Sequence, residues 1–175
     1  MTLYDWMALG AVVLCLLLSF FFSGSETALT ASSKARMHAL EKNGDARAAL
    51  VNRMMAQRER LIGGILLGNN LVNIAASSLT TGLLLAWFGS AGIAYATVGM
   101  TVVVVIFSEV LPKTIAINHP DRVSLLVAGP IRFIVGLFGP LTLAIEALVR
   151  ALLRAMGVPR GATSDVLSAS EELRG

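Results

Sequence analysis

Three short polar clusters interrupt long apolar runs, and their residue types are those that hold hard cations. The first is Ser23-Gly24-Ser25-Glu26-Thr27. The second is Gly68-Asn69-Asn70, with Asn73 one turn on. The third is Ser108-Glu109, followed by Pro112-Lys113. Hydroxyls, amide carbonyls and carboxylates are all oxygen donors, and neither histidine (His38, His119) lies beside them. Oxygen donors without thiolate or imidazole suit Mg2+, Ca2+ or Na+ rather than Zn2+ or Cu. Gly24 adds a point where a helix can loosen and turn a carbonyl toward an ion. Pro112 has no amide hydrogen, so ordinary helical spacing leaves the Ser108 carbonyl without its donor.

Each cluster also has a plainer reading. Serines in apolar helices often bond only to a preceding carbonyl, and Asn69 and Asn70 can serve to join helices. Glu109 can pair with Lys113 one turn along, and Glu26 lies near enough to the end of its run to reach an interface. Serine hydrolysis within the membrane would need a basic partner there; both histidines fall outside the apolar runs, so the chain is not expected to be an enzyme.

The elements that must position these groups are three apolar runs, 4–30, 61–88 and 92–117. Each is long enough to cross about 30 Å of hydrocarbon, which takes about 20 helical residues. Each must be helical, because lipid offers the backbone no hydrogen bonds. The composition agrees: 55% of the 175 residues are hydrophobic and 14% charged, against about 25% charged in an average soluble domain. The single cysteine, Cys15, excludes an intrachain disulfide and reads as an apolar filler. The first run has no preceding Lys or Arg, so it lacks the basic region of a cleaved signal peptide.

Between the first two runs, residues 33–60 read as a helical hairpin turning at Asn43-Gly44-Asp45, with helices to Lys42 and from Ala46. Residues 121–156 are apolar but interrupted by Pro130, Arg132, Gly136, Gly139 and Pro140. They are expected to form kinked helices at the inner interface. Charge supports that reading. No Lys or Arg lies before residue 34 or between Arg60 and Lys113. Three spans put every basic residue on one side or at its boundary, which the positive-inside rule makes cytoplasmic, with the N-terminus outside. A fourth span would strand Arg150, Arg154, Arg160 and Arg174 on the far side. The net charge of +3 therefore reads as attraction to a membrane surface and not to nucleic acid.

Depth unites the clusters. At about 1.5 Å per residue, Ser23 lies about 28 Å in from the outer end of the first run and Glu109 about 26 Å in from that of the third. Asn69 lies about 14 Å from the inner end of the second run. All three then fall in the inner half, as one site would require.

FFSGSETAL at 21–29, LLGNNLVNI at 66–74 and SEVLPKTIA at 108–116 resemble, in order and spacing, the three motifs of the CorB/CorC/CNNM transmembrane domain. The resemblance covers residues 4–156. It implies an all-α integral membrane protein with three transmembrane helices plus cytoplasmic-side juxtamembrane helices, assembled as a homodimer in the cytoplasmic (inner) membrane. It also implies Mg2+ transport, generally efflux, with Na+ as coupling ion left open; a Mg2+ sensor that binds without transporting is the alternative. Carried over by motif, Ser23, Gly24, Ser25, Glu26, Asn69, Asn70 and Glu109 line the ion site, and Pro112 and Lys113 shape its mouth. Ser25, Asn70 and Glu109 rank first as direct ligands, then Ser23 and Asn69. Residues 1–156 are expected to be the transmembrane domain and 157–175 a linker toward a cytosolic CBS-pair region. ATP binding is not expected of this chain.

Overall fold

Helix starts and turns follow from local chemistry. The structure is a computed structural model and describes residues 2–155. Its elements are α1 (Leu3–Ala31), α2 (Lys34–Lys42), α3 (Ala46–Ala56), α4 (Arg58–Phe88), α5 (Ala91–Val103), a π-helical segment (Val104–Val110), α6 (Leu111–Asn118) and α7 (Pro120–Ala155). No strand occurs among the described residues. Thr2 and Asp5 cap the start of α1 reciprocally, with Thr2 N donating to Asp5 Oδ2 at 2.6 Å. Asp45 caps α3, its Oδ1 accepting from Arg47 N at 2.8 Å. The hairpin α2–α3 turns where the sequence predicts, with Gly44 at φ +90°, a conformation open to glycine. Asn52 Nδ2 ties its two helices by donating to Glu41 Oε2 at 2.6 Å.

Between α4 and α5 the chain turns on Gly89-Ser90 alone. Gly89 has φ +62°, and a Cβ at Gly92 would run into the Leu84 carbonyl oxygen. The turn thus needs both glycines.

Among the described residues, four helices are long and apolar enough to cross a membrane: Leu3–Ala31, Arg60–Phe88, Ala91–Asn118 and Pro120–Ile145. The first three coincide with the predicted spans. The fourth belongs to α7, and here the structure differs from the sequence reading. Where more than one helix is expected, Pro120–Ala155 is a single helix that includes Pro130 and Pro140. An internal proline costs a helix about 3 kcal/mol, and in α7 apolar packing on both sides of Pro130 offsets it.

That packing fixes the level of the first half of α7. Val127, Ala128 and Ile131 share one apolar cluster with neighbours from four helices: Leu29 at the end of α1, Met37 of α2, Ala48 and Val51 of α3, and Leu61 and Ile65 in the first turns of α4. A Cβ at Gly64 would lie 3.3 Å from Val135 Cγ2. Ser33 N donates to Asp121 Oδ1 at 3.0 Å, and Arg36 Nη1 lies 3.4 Å from Asp121 Oδ2, which holds the start of α7 to α2. Residues 121–135 therefore run beside the hairpin and the entry turns of α4, not beside its middle.

Two compact units, 1–139 and 140–175, divide within α7. In the second, the described residues are helical to Ala155, with Leu141, Leu143, Ile145, Leu148 and Leu152 exposed. The linker predicted for 157–175 lies outside the described residues.

Candidate ion site

The helix α1 meets its neighbours through three contacts within residues 19–24. Ser19 Oγ donates to Asn69 Oδ1 of α4 at 2.8 Å. The ring of Phe22 lies against Gly68, where a Cβ would come within 2.7 Å of it. On the opposite flank Gly24 faces α6, where a Cβ would sit 3.4 Å from Pro112 Cβ. Five residues are about one and a half helical turns, so the three predicted motifs meet at one level. This is what the depth argument requires.

The third span is not a regular α-helix where its motif lies. Residues Val104–Val110, which include Ser108 and Glu109, follow π spacing, and Leu111 N donates to Ile106 O five residues back. The π register ends where Pro112 would have to donate. In π spacing Phe107 O calls on the amide hydrogen that Pro112 lacks, and in α spacing Ser108 O does. The sequence reading found only the second. Single-turn π segments inside α-helices are frequently found at functional sites.

Of the three hydroxyls buried without a partner among the described residues, Thr80 Oγ1 lies farther along α4 and two lie at this level. Ser23 Oγ and Ser108 Oγ are buried with no hydrogen-bond partner, in residues exposed by only 1% and 0%. Each orphaned hydroxyl costs about 1–3 kcal/mol, so two of them, on helices in contact, call for a ligand or a water. Ser25 and Thr27 differ: their hydroxyls donate back to Phe21 O at 2.6 Å and Ser23 O at 3.1 Å. Both still keep lone pairs that a cation can use.

Asn69 and Asn70 present different faces. Successive residues turn by about 100° around a helix. Asn69 faces α1, where its Oδ1 already accepts from Ser19, while Asn70 is exposed. Within one protomer the geometry thus brings Asn69 to α1 and leaves Asn70 outside that contact. Glu26 and Glu109 are half-buried, and neither side-chain carboxylate makes a hydrogen bond or ion pair among the described residues. The pairing of Glu109 with exposed Lys113 does not form. No group of three His, Cys, Asp or Glu able to hold a metal occurs among the described residues. The local donor set is therefore hydroxyls, amides and two separate carboxylates. Gly24 does not loosen α1, which runs unbroken through it; it packs against Pro112.

Sequence reasoning missed Ser19. It is fully buried and lies one turn before Ser23, so its signal was the i, i+4 spacing of serines in an apolar run. Farther along α4 and α5, a cavity of about 370 Å3 is lined by Asn73, Ser77, Thr81, Thr97 and Thr101, and Asn73 Oδ1 is buried without a partner.

Residues 10–175 match the family model of the cyclin M (CNNM) transmembrane N-terminal domain. The chain is 39% identical over 160 residues to the UPF0053 inner membrane protein YfjD of Escherichia coli, covering 90% of this chain and 37% of that one. It is 36% identical over 163 residues to a UPF0053 protein of Haemophilus influenzae, covering 93% and 39%. A chloroplastic DUF21 domain-containing protein of Arabidopsis thaliana is 29% identical over 150 residues, covering 85% and 23%. The chain thus spans about two-fifths of the length of these two bacterial relatives.

Proposed function

Taking as premise that the chain belongs to the cyclin M (CNNM) transmembrane family, we propose that it carries Mg2+ across the membrane in which its helices lie. The observation that carries the reading is the pair of orphaned hydroxyls, Ser23 and Ser108, where α1 meets the π segment, with Glu109 adjacent to Ser108 and Glu26 three residues past Ser23. A bare dication is expensive to desolvate. Two carboxylates can offset its charge, and hydroxyl and carbonyl oxygens can replace its water. Glu109 supplies charge from the π segment, Glu26 and Ser25 from α1, and Asn69, with Asn70 beside it, amide oxygens from α4. Pro112 and Lys113 border the site on α6. Export is the direction the family resemblance suggests, with Na+ the candidate for exchange. Binding, orientation and release of an ion account for these groups without any catalytic role.

The basic hairpin and Arg132 support an orientation with the N-terminus outside and the C-terminus cytoplasmic. They also support placing the first half of α7 along the inner interface, leaving three helices across the membrane. The polar cavity on α4 and α5 supports a homodimer, since a second copy would shield Ser77, Thr81, Thr97 and Thr101 from lipid.

The test is Mg2+ flux in liposomes holding the purified chain, read with an internal Mg2+ dye. Flux that Glu109→Gln abolishes is the expected result. Mg2+ binding without flux would replace the carrier by a sensor, and no binding would overturn the site.

A further inference from the structure

We propose that the groove between α3 and α7 binds the phosphate of an acidic phospholipid. Two adjoining cavities, of about 310 and 650 Å3, share Leu50, Arg53 and Arg132. Arg60 completes the lining charge of the first and Arg47 that of the second. Four guanidinium groups therefore serve one groove. No carboxylate lines it among the described residues, and none of the four arginines forms an ion pair there. Arg60 Nε is buried without a hydrogen-bond partner. Cations gathered without a counter-charge repel one another, so the arrangement asks for an anion. The planar fork of arginine matches a phosphate with two parallel hydrogen bonds.

The level of the groove and its flanks identify the anion's source. The groove adjoins the cluster of Leu61 and Ile131, where α1 ends and α4 begins; the orientation proposed above puts that level among the cytoplasmic headgroups. Leu126 lines the second cavity and is 68% exposed, and Phe133 and Leu137 follow along the same helix at 73% and 66%. These side chains would meet acyl chains while the arginines hold the headgroup. A free phosphate would leave that apolar surface in water. Basic pockets at the cytoplasmic face are a recurring form of acidic-lipid recognition. The occupied groove would fasten α7 to α3 by a charge that neither helix contains. The proposal does not rest on the ion that the transmembrane site carries.

Native mass spectrometry of the detergent-purified chain tests it, with phosphatidylglycerol, phosphatidylcholine and inorganic phosphate as probes. Phosphatidylglycerol should be retained in preference to phosphatidylcholine, and inorganic phosphate should not displace it. The double variant R53Q/R132Q should bind phosphatidylglycerol about tenfold more weakly, while K42Q/R122Q, with the same charge change elsewhere, should stay within about twofold. R53K/R132K keeps the charge and loses the fork, so it should fall between the two. It also replaces the glutamine variant should that one fail to fold. Equal retention of both lipids, equal loss in the K42Q/R122Q control, or displacement by inorganic phosphate alone would each overturn the proposal.

Discussion

Gly24 of α1 and Pro112 of α6 face each other so closely that a Cβ on the glycine would stand 3.4 Å from that of the proline. The contact joins two of the three motifs. It does so at the one proline of the third span, just past the π segment that carries Ser108 and Glu109. A methyl group fits this gap and a larger side chain does not. Gly24→Ala should therefore keep Mg2+ flux within about twofold, whereas Gly24→Leu should lose it, with overpacking of about 1–3 kcal/mol. Flux in liposomes and thermal melting of both variants check this. A fully active leucine variant would separate the contact from the site.

Glu109→Gln keeps shape and removes charge. Because the carboxylate has no partner among the described residues, nothing else should collapse, and melting without Mg2+ should move little. Mg2+ affinity should fall by at least about tenfold, since the charge that offsets desolvation is gone. Calorimetry on the two proteins decides it; unchanged affinity removes Glu109 from the site.

Ser23→Ala and Ser108→Ala carry an unusual signature. Each removes a buried hydroxyl that has no partner, so each should stabilise the protein without Mg2+ by about 1 kcal/mol while weakening Mg2+ binding. Opposite signs in the two measurements mark a ligand. A loss of stability in both, as for an ordinary structural serine, would argue against the role proposed for them.

Gly68→Ala should destabilise by about 1–3 kcal/mol, because its methyl group meets the buried Phe22 ring. Adding Phe22→Leu should recover part of that loss. The coupling in a double-mutant cycle, about 1 kcal/mol or more, measures the α1–α4 contact directly. Additive effects would show that the clash relaxes elsewhere.

Ser19→Ala tests the residue that only the structure singles out. Losing its hydrogen bond to Asn69 should cost about 1 kcal/mol, and an Asn69 free to swing should bind Mg2+ a few-fold more weakly. Stability lost with affinity intact would confine Ser19 to packing.

Much of this architecture was legible in the sequence, and the physical reasons are specific. The spans were readable because lipid demands long uncharged helices. The hairpin was readable because Asn43-Gly44-Asp45 combines a positive-φ glycine with a capping aspartate. The convergence of the three motifs was readable from depth alone. What escaped was register and facing. No local signal announces that Val104–Val110 adopts π spacing, since its valines and isoleucine suit an α-helix in lipid equally well. Which of Asn69 and Asn70 faces α1 depends on the rotation of α4, set by the seating of Phe22 against Gly68. The continuity of α7 through Pro130 escaped for a related reason: the offsetting contacts of Val127 and Ile131 come from residues 60 to 100 positions away.

The turn at Gly89-Ser90 also bears on how the protein enters its membrane. From Leu61 to Ser108 the chain holds no charged residue, and the link between α4 and α5 is two residues long. Neither helix can reach its final position while the other waits in water, so the pair must insert as one hairpin, tip first. The tip that crosses is glycine and serine, with no charge to carry through the hydrocarbon. In the proposed orientation, the basic residues on either side of the pair stay behind on the side of synthesis. Biogenesis of the second and third spans is thereby a single event, and a lysine placed at Ser90 would burden both helices at once.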